Sequence, residues 1–224
     1  MSRFTKDHGF EKPHDARALE LMNAAAQETM LEFGGGGTDI CVAFGESDEY
    51  SFVFHRDTRL YQRRASKLVS LVTSCFTGWY VRLWSSFFPS KPLERVPMFD
   101  GRAVLYPTTS SLRDYLSWRQ ADTHINCQYN TCYWLLMGEG RTREECQSML
   151  NGTLTRDKNE IMFQRGVNYN DLPQMFRKGS VWIWVCIEEE KQSTNNKKGK
   201  KELKLFHEDI IKDGFWNRYP HVLK

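Results

Sequence analysis

The chain has 224 residues, with 40% hydrophobic and 13% aromatic, which excludes an intrinsically disordered polymer and provides for one sizeable core. A net charge of +3 is too small to mark a nucleic-acid binder by its sum, so the clustering of charge carries the information. The longest apolar run, residues 181–187, is far too short to span a bilayer, the first ten residues form no signal peptide, and the six cysteines contain no Cys-x-x-Cys pair. These features predict a soluble intracellular protein with free thiols, in the cytoplasm or nucleus, with the mitochondrion also open.

In chain order, residues 1–12 are polar and basic, and Pro13 suits the first turn of a helix. Ala18, Leu21, Met22, Ala25 and Met30 sit near helical spacing and predict a helix over residues 14–33. Residues 34–37 are four glycines. No Gly-Lys-Ser/Thr follows them, so they predict a connector rather than a phosphate loop. Ile40, Val42 and Phe44 alternate with other residues, as do Tyr50, Phe52 and Phe54, and the polar turn between them predicts a hairpin over residues 39–54. That turn carries Asp48 and Glu49. A carboxylate on a rigid hairpin tip can hold a divalent cation, although an Asp-Glu pair is also ordinary turn chemistry.

Arg56, Arg59, Arg63, Arg64 and Lys67 then crowd a short stretch, ahead of a helix with Leu68, Val69, Val72, Cys75, Phe76, Trp79 and Leu83 on one face. Positive charge in first turns opposes the helix dipole, a cost that a bound anion would offset; a solvated basic face is the competing reading. Residues 89–97 read as a loop and 102–106 as a short strand ended by Pro107. Ser110 or Ser111 is placed to cap a long amphipathic helix over residues 114–137. On one ideal helix His124 and Asn130 stand about 240° apart, so they face one ligand only if the helix breaks or the ligand wraps around it. Thr142 and Glu145 predict a capping box for a helix to Leu150. The polar run 153–160 reads as a loop or helix N-terminus, 181–187 as a strand, 192–201 as a mobile loop, and 203–224 as an aromatic tail that docks.

Gly-x-Ser-Asp-Glu-Tyr-Ser-Phe at 45–52 resembles the metal-site motif of tRNA-histidine guanylyltransferases. Arg-Arg-Ala-Ser-Lys at 63–67, Asp-Tyr-Leu-Ser-Trp-Arg-Gln-Ala-Asp at 114–122, His-Ile-Asn-x-x-Tyr-Asn-Thr at 124–131 and Asp-Lys-Asn-Glu at 157–160 are similar to further motifs of that family, in the same order. The resemblance implies an α/β (α+β) fold: a polymerase-like palm with an antiparallel sheet flanked by helices. It implies residues 1–110 as an incomplete catalytic core and 111–224 as the region completing the domain. The implied reaction adds a guanosine to the 5′ end of tRNA-His in the 3′–5′ direction. ATP activates the 5′-phosphate, GTP is the donor, two Mg2+ ions assist, and the assembly is a homotetramer.

By the same resemblance, Asp48 is the metal ligand, while Asp48, Glu49, His124 and Lys158 serve catalysis. Lys12, Ser47, Asp48, Lys67 and Asn130 contact nucleotide, and Arg63, Arg64, Arg119, His124 and Asn159 contact tRNA. Side chains of successive strand residues point to opposite faces, so direct ligation by Glu49 is less expected than by Asp48.

The chain departs from the family pattern at its start. Members carry an apolar strand ending in Asp-Gly-Arg ahead of the segment matching Arg3-Phe4, and that strand supplies a second metal-bridging Asp. Asp100-Gly101-Arg102 does not replace it, because members have a similar triplet at that later place too. The expectation is a palm lacking its first strand, with neighbouring strands exposing unpaired backbone, and a chain impaired in catalysis. Glu46, the glycine insertion, Cys127 and Gln128 are smaller departures. A non-catalytic tRNA-binding or subunit-interaction fragment is the alternative function. A palm-like cyclase or phosphohydrolase is a third, disfavoured by the His-Ile-Asn and Asp-Lys-Asn-Glu runs.

Overall fold

A computed structural model of the chain describes residues 3–33, 39–186 and 201–223. The elements run α1 (Arg3–Asp7), α2 (Ala16–Phe33), β1 (Ile40–Glu46), β2 (Glu49–Phe54), α3 (Ala65–Phe87), α4 (Thr109–Gly138), α5 (Arg143–Leu150), α6 (Thr155–Phe163), α7 (Gln174–Lys178), β3 (Ser180–Cys186), β4 (Lys201–Phe206) and α8 (Asp213–Arg218). The four strands form one antiparallel sheet in the order β2-β1-β3-β4. This is the helix-flanked antiparallel architecture expected above.

Alternation on the central strands divides the core. Ala43, Trp182 and Trp184 face α2 and α3, where they meet Leu21, Met30, Phe76, Tyr80 and Trp84. Val42, Phe44, Val181 and Ile183 face the opposite layer, with Leu116 of α4 and Ile210, Phe215 and Trp216 of the tail. The aromatic tail thus docks, as expected. A third cluster joins the far half of α4 to α5 and α6 through Cys132, Leu136, Cys146, Leu150 and Met162.

Several local expectations needed correction. The long helix is capped by Thr108, not by Ser110 or Ser111: Thr108 Oγ1 accepts from Ser111 N at 3.0 Å, and Ser111 Oγ accepts from Thr108 N at 3.2 Å. This reciprocal pair satisfies two of the free N–H groups at the helix start. The Thr142–Glu145 box forms as read. Residues 153–160 contribute to α6, whose first turn is tied by Leu154 N donating to Asp157 Oδ2 at 2.8 Å. Lys201 opens strand β4 instead of closing a loop; residues 34–37, Ile187 and 192–200 lie outside the described residues.

The predicted strand at 102–106 does not form. Its residues join no strand ladder, with Leu105 87% exposed. A strand needs a partner about 4.8 Å away. Here a cavity of about 1830 Å³ is lined on one side by residues 97–109 and on another by β2, the edge strand of the sheet. The cavity is a slot. Val72, Phe76 and Tyr80 of α3 wall one flank, and Leu112, Tyr115 and Trp216 wall the other. The two sheet edges differ in kind. β4 carries Lys201, Glu202 and Lys204, charges that discourage edge pairing, whereas β2 reads Glu-Tyr-Ser-Phe-Val-Phe.

Candidate functional site

The slot ends at the β1–β2 turn. Glu46 pairs with Glu49 in the register, leaving Ser47 and Asp48 as a two-residue connection. Ser47 has φ 50°, the left-handed value that a tight hairpin requires of its first central residue. The ring of Tyr50 lies over Gly45 so closely that a Cβ there would stand 2.3 Å from it. Tyr50 also donates from its hydroxyl to Asn23 Oδ1 at 2.9 Å, anchoring the hairpin to α2. The tip is thus a short turn on a buried, rigid base, and both Ser47 and Asp48 are exposed on it.

Ser47, Asp48, Glu49, Arg63 and Arg119 line the slot together. Arg63 closes a run of three left-handed residues, Tyr61 (φ 48°), Gln62 (φ 56°) and Arg63 (φ 57°). Each such non-glycine residue costs about 1–2 kcal/mol, a strain characteristic of ligand-binding turns. Arg63 Nη1 donates to the carbonyls of Arg56 (2.9 Å) and Thr58 (3.2 Å). Arg64 and Lys67 are exposed at the start of α3, with Lys67 Nζ 4.8 Å from the Tyr61 ring centroid.

Glu49 and Arg119 are engaged with each other: Arg119 Nε donates to Glu49 Oε1 at 2.7 Å. Among the described residues no group of three His, Cys, Asp or Glu side chains could hold a metal ion. Asp100 lines the slot as well, but its side chain is 94% exposed and faces Arg102. A lone Asp48 carboxylate would hold at most one Mg2+ that keeps most of its other ligands as water; the described residues do not fit two ions clamped between two carboxylates.

The remaining expected residues lie around α4, away from the slot lining. Helix α4 is unbroken, so His124 and Asn130 point in different directions. His124 Nδ1 is 2.8 Å from the Tyr169 hydroxyl, and burial, with Lys178 and Arg177 nearby, lowers its pKa. Arg177 also lies over the Tyr169 ring at 5.6 Å. Tyr169, Arg177 and Lys178 were not anticipated; the only signal for them is a basic pair before Gly179. Lys12 Nζ stands 5.7 Å from the Trp134 ring. Lys158 is buried and donates to Thr153 O at 2.7 Å, while its exposed neighbour Asn159 is 3.5 Å from Gln128 Nε2.

His14, also unanticipated, packs between these groups, stacked on Phe176 at 4.8 Å with Nε2 3.4 Å from Thr131 Oγ1. Burial is the main cause that holds its pKa down to about 4 from 6.5. The folded state then resists protonation that the unfolded chain accepts. Stability is complete above about pH 6.5 and falls as the pH drops toward 4, by about 3 kcal/mol. His14→Phe, which keeps the stack, is expected to flatten this decline in urea titrations at several pH values; an unchanged decline would assign it to other groups.

A helix-flanked antiparallel sheet with an exposed carboxylate on a hairpin tip, and arginines in the same slot, defines the class as a mixed α/β (α+β) protein with an acidic tip set among basic side chains. The comparisons narrow the class. Residues 1–107 match the family model described as tRNAHis guanylyltransferase, and residues 110–212 match the Thg1 C terminal domain. A probable tRNA(His) guanylyltransferase of Dictyostelium discoideum is 48% identical over 223 residues, 99% of this chain and 86% of that protein. The crystal structure of the Saccharomyces cerevisiae tRNA(His) guanylyltransferase superposes with a TM-score of 0.75 at 48% identity, covering 80% of this chain and 78% of that one. A bacterial Thg1-like protein in complex with ATP shares the fold, with a TM-score of 0.69 at 21% identity over 98% of this chain and 84% of its own. The chain belongs to the tRNA(His) guanylyltransferase family. No helix among the described residues is long and apolar enough to cross a membrane.

Proposed function

We propose that this chain binds GTP, ATP and tRNA-His and takes part in 3′–5′ addition of guanosine to the tRNA 5′ end. The observation that carries the reading is the exposed Asp48 carboxylate on a rigid hairpin tip, in one slot with Arg63. In this reading Asp48 and Ser47 receive the metal-bearing end of the triphosphate. Arg63, Arg64 and Lys67 offset the remaining phosphate charge, as cations at a phosphoryl-transfer site must. A bound Mg2+ would neutralise the phosphates and polarise the reacting phosphorus. Around α4, His124, Asn159, Arg177 and Lys178 offer donors and cations to the RNA backbone, and Lys12 and Asn130 to nucleotide. Exposed Leu105, Trp118 and Phe163 supply apolar surface of the kind a subunit interface of a tetramer covers.

A single free carboxylate at the tip favours slow transfer, and at the limit the alternative of a binding fragment. An electrostatic group at a reacting centre is worth about 10²–10³ in rate. With labelled GTP, ATP, Mg2+ and tRNA-His lacking its added guanosine, label is expected at the tRNA 5′ end at least about a hundredfold more slowly than with the S. cerevisiae relative. Equal rates would overturn the impairment, and absence of both GTP and tRNA binding would overturn the function.

A further inference from the structure

We propose that Arg119 is a positioning residue that fixes the Asp48 hairpin tip from inside the protein; the inference rests on the function proposed above. Its side chain is 11% exposed and already committed to protein groups. Nε donates to Glu49 Oε1 at 2.7 Å, and Nη2 donates to Asp122 Oδ2 at 3.0 Å and stands 3.6 Å from Glu46 Oε2. The guanidinium also lies over the Trp118 ring at 4.5 Å. Glu46 is buried on the other strand. Its Oε2 accepts from Thr123 Oγ1 at 3.0 Å and its Oε1 from Asn126 Nδ2 at 2.6 Å.

The two residues that close the turn are thus both fastened to successive turns of α4, and only Ser47 and Asp48 stand between them. Fixing both ends of so short a connection fixes where it points. The ion pair has a second effect: it holds the Glu49 carboxylate on the α4 side, so that Asp48 is the carboxylate offered to a cation. Arg119 is the member of this cluster that reaches all three acidic side chains, and a planar fork of five donors suits that task where an ammonium does not.

The test uses the 224-residue chain, Mn2+-dependent GTP binding by calorimetry, and tRNA affinity as a function of salt. Asp48→Ala is expected to remove the Mn2+ dependence, and Arg119→Met, which frees the turn that carries Asp48, to weaken Mn2+-dependent GTP binding about 10–100-fold, the scale on which the surroundings of a metal ligand act. Glu49→Ala is expected to weaken it less, and the double variant to be no worse than Arg119→Met, because both remove one contact. Arg119→Lys is expected to recover only part of the binding. If Arg119→Met does not fold, Arg119→Lys and the half-exposed Glu49→Ala carry the test, and wild-type Mn2+ dependence in both would overturn the proposal. A fall of about one in the salt slope of tRNA binding in Arg119→Met, with the slope kept in the charge-preserving Arg119→Lys, would also overturn it, identifying Arg119 as a phosphate contact. Should Asp48→Ala itself keep Mn2+-dependent binding, the function reading fails along with the inference.

Discussion

Asp48→Ala is expected to lower Mg2+-dependent GTP affinity at least about a hundredfold while leaving the fold intact, a larger loss than that of an outer partner. Both halves of this result follow from the tip. The Asp48 carboxylate is exposed and enters no hydrogen bond or ion pair among the described residues, so its removal costs the folded chain within about 0.5 kcal/mol. The same freedom leaves its lone pairs available to a cation. Glu49 cannot take over, because Arg119 holds it. Isothermal calorimetry with and without Mg2+, beside a melting curve, checks both halves. Unchanged Mg2+-dependent affinity, or a large drop in melting temperature, contradicts this reading of the tip.

The largest expected loss of stability is at Trp84. It is 3% exposed, stacks on Phe88 at 4.4 Å, meets Phe4, His8, Phe10 and Tyr80, and donates from Nε1 to Lys91 O at 2.7 Å. It joins three segments that local sequence does not hold together: α1, α3 and the loop after α3. His8, beneath it, accepts from Glu94 N at 3.2 Å and so ties the same loop. Trp84→Ala is expected to cost about 3–5 kcal/mol, since it leaves a cavity and an unpaired carbonyl. That is a large share of the roughly 5–15 kcal/mol available to an ordinary domain. A urea midpoint shift equivalent to less than about 1.5 kcal/mol would show that this end of α3 is not part of the cooperative core.

Features that depend on local pattern were legible in the sequence. The hairpin at 39–54 showed in its alternation, α2 and α4 in their apolar spacing, and α5 in the Thr142–Glu145 box. Those that depend on a partner distant in sequence were not. Residues 102–106 have strand composition, but composition does not say whether an edge lies within reach, and here the slot intervenes. β4 was hidden for the converse reason: Lys201 read as the end of a loop and Leu203 onward as a tail, although Leu203 and Leu205 face partners across β3. Lys158 takes its expected role from the resemblance, but its burial is set by packing between α4 and α6, which no local pattern shows. The carboxylates that engage Arg119 come from both strands of the hairpin and from one turn further along α4, neighbours that its own motif does not reveal. The motif marked the position as important; only the three-dimensional neighbours indicate what the side chain is attached to.

In the proposed function, the Ser47–Asp48 tip receives the metal-bearing end of a nucleoside triphosphate. The most direct test is a crystal structure grown with a non-hydrolysable GTP analogue and Mn2+, with the ion located by its anomalous scattering. The expected map has one Mn2+ peak on the Asp48 carboxylate, bridged to the triphosphate, with Arg63 and Lys67 turned toward the phosphates. A triphosphate bound outside the slot, or an ion with no Asp48 oxygen among its ligands, would contradict the account.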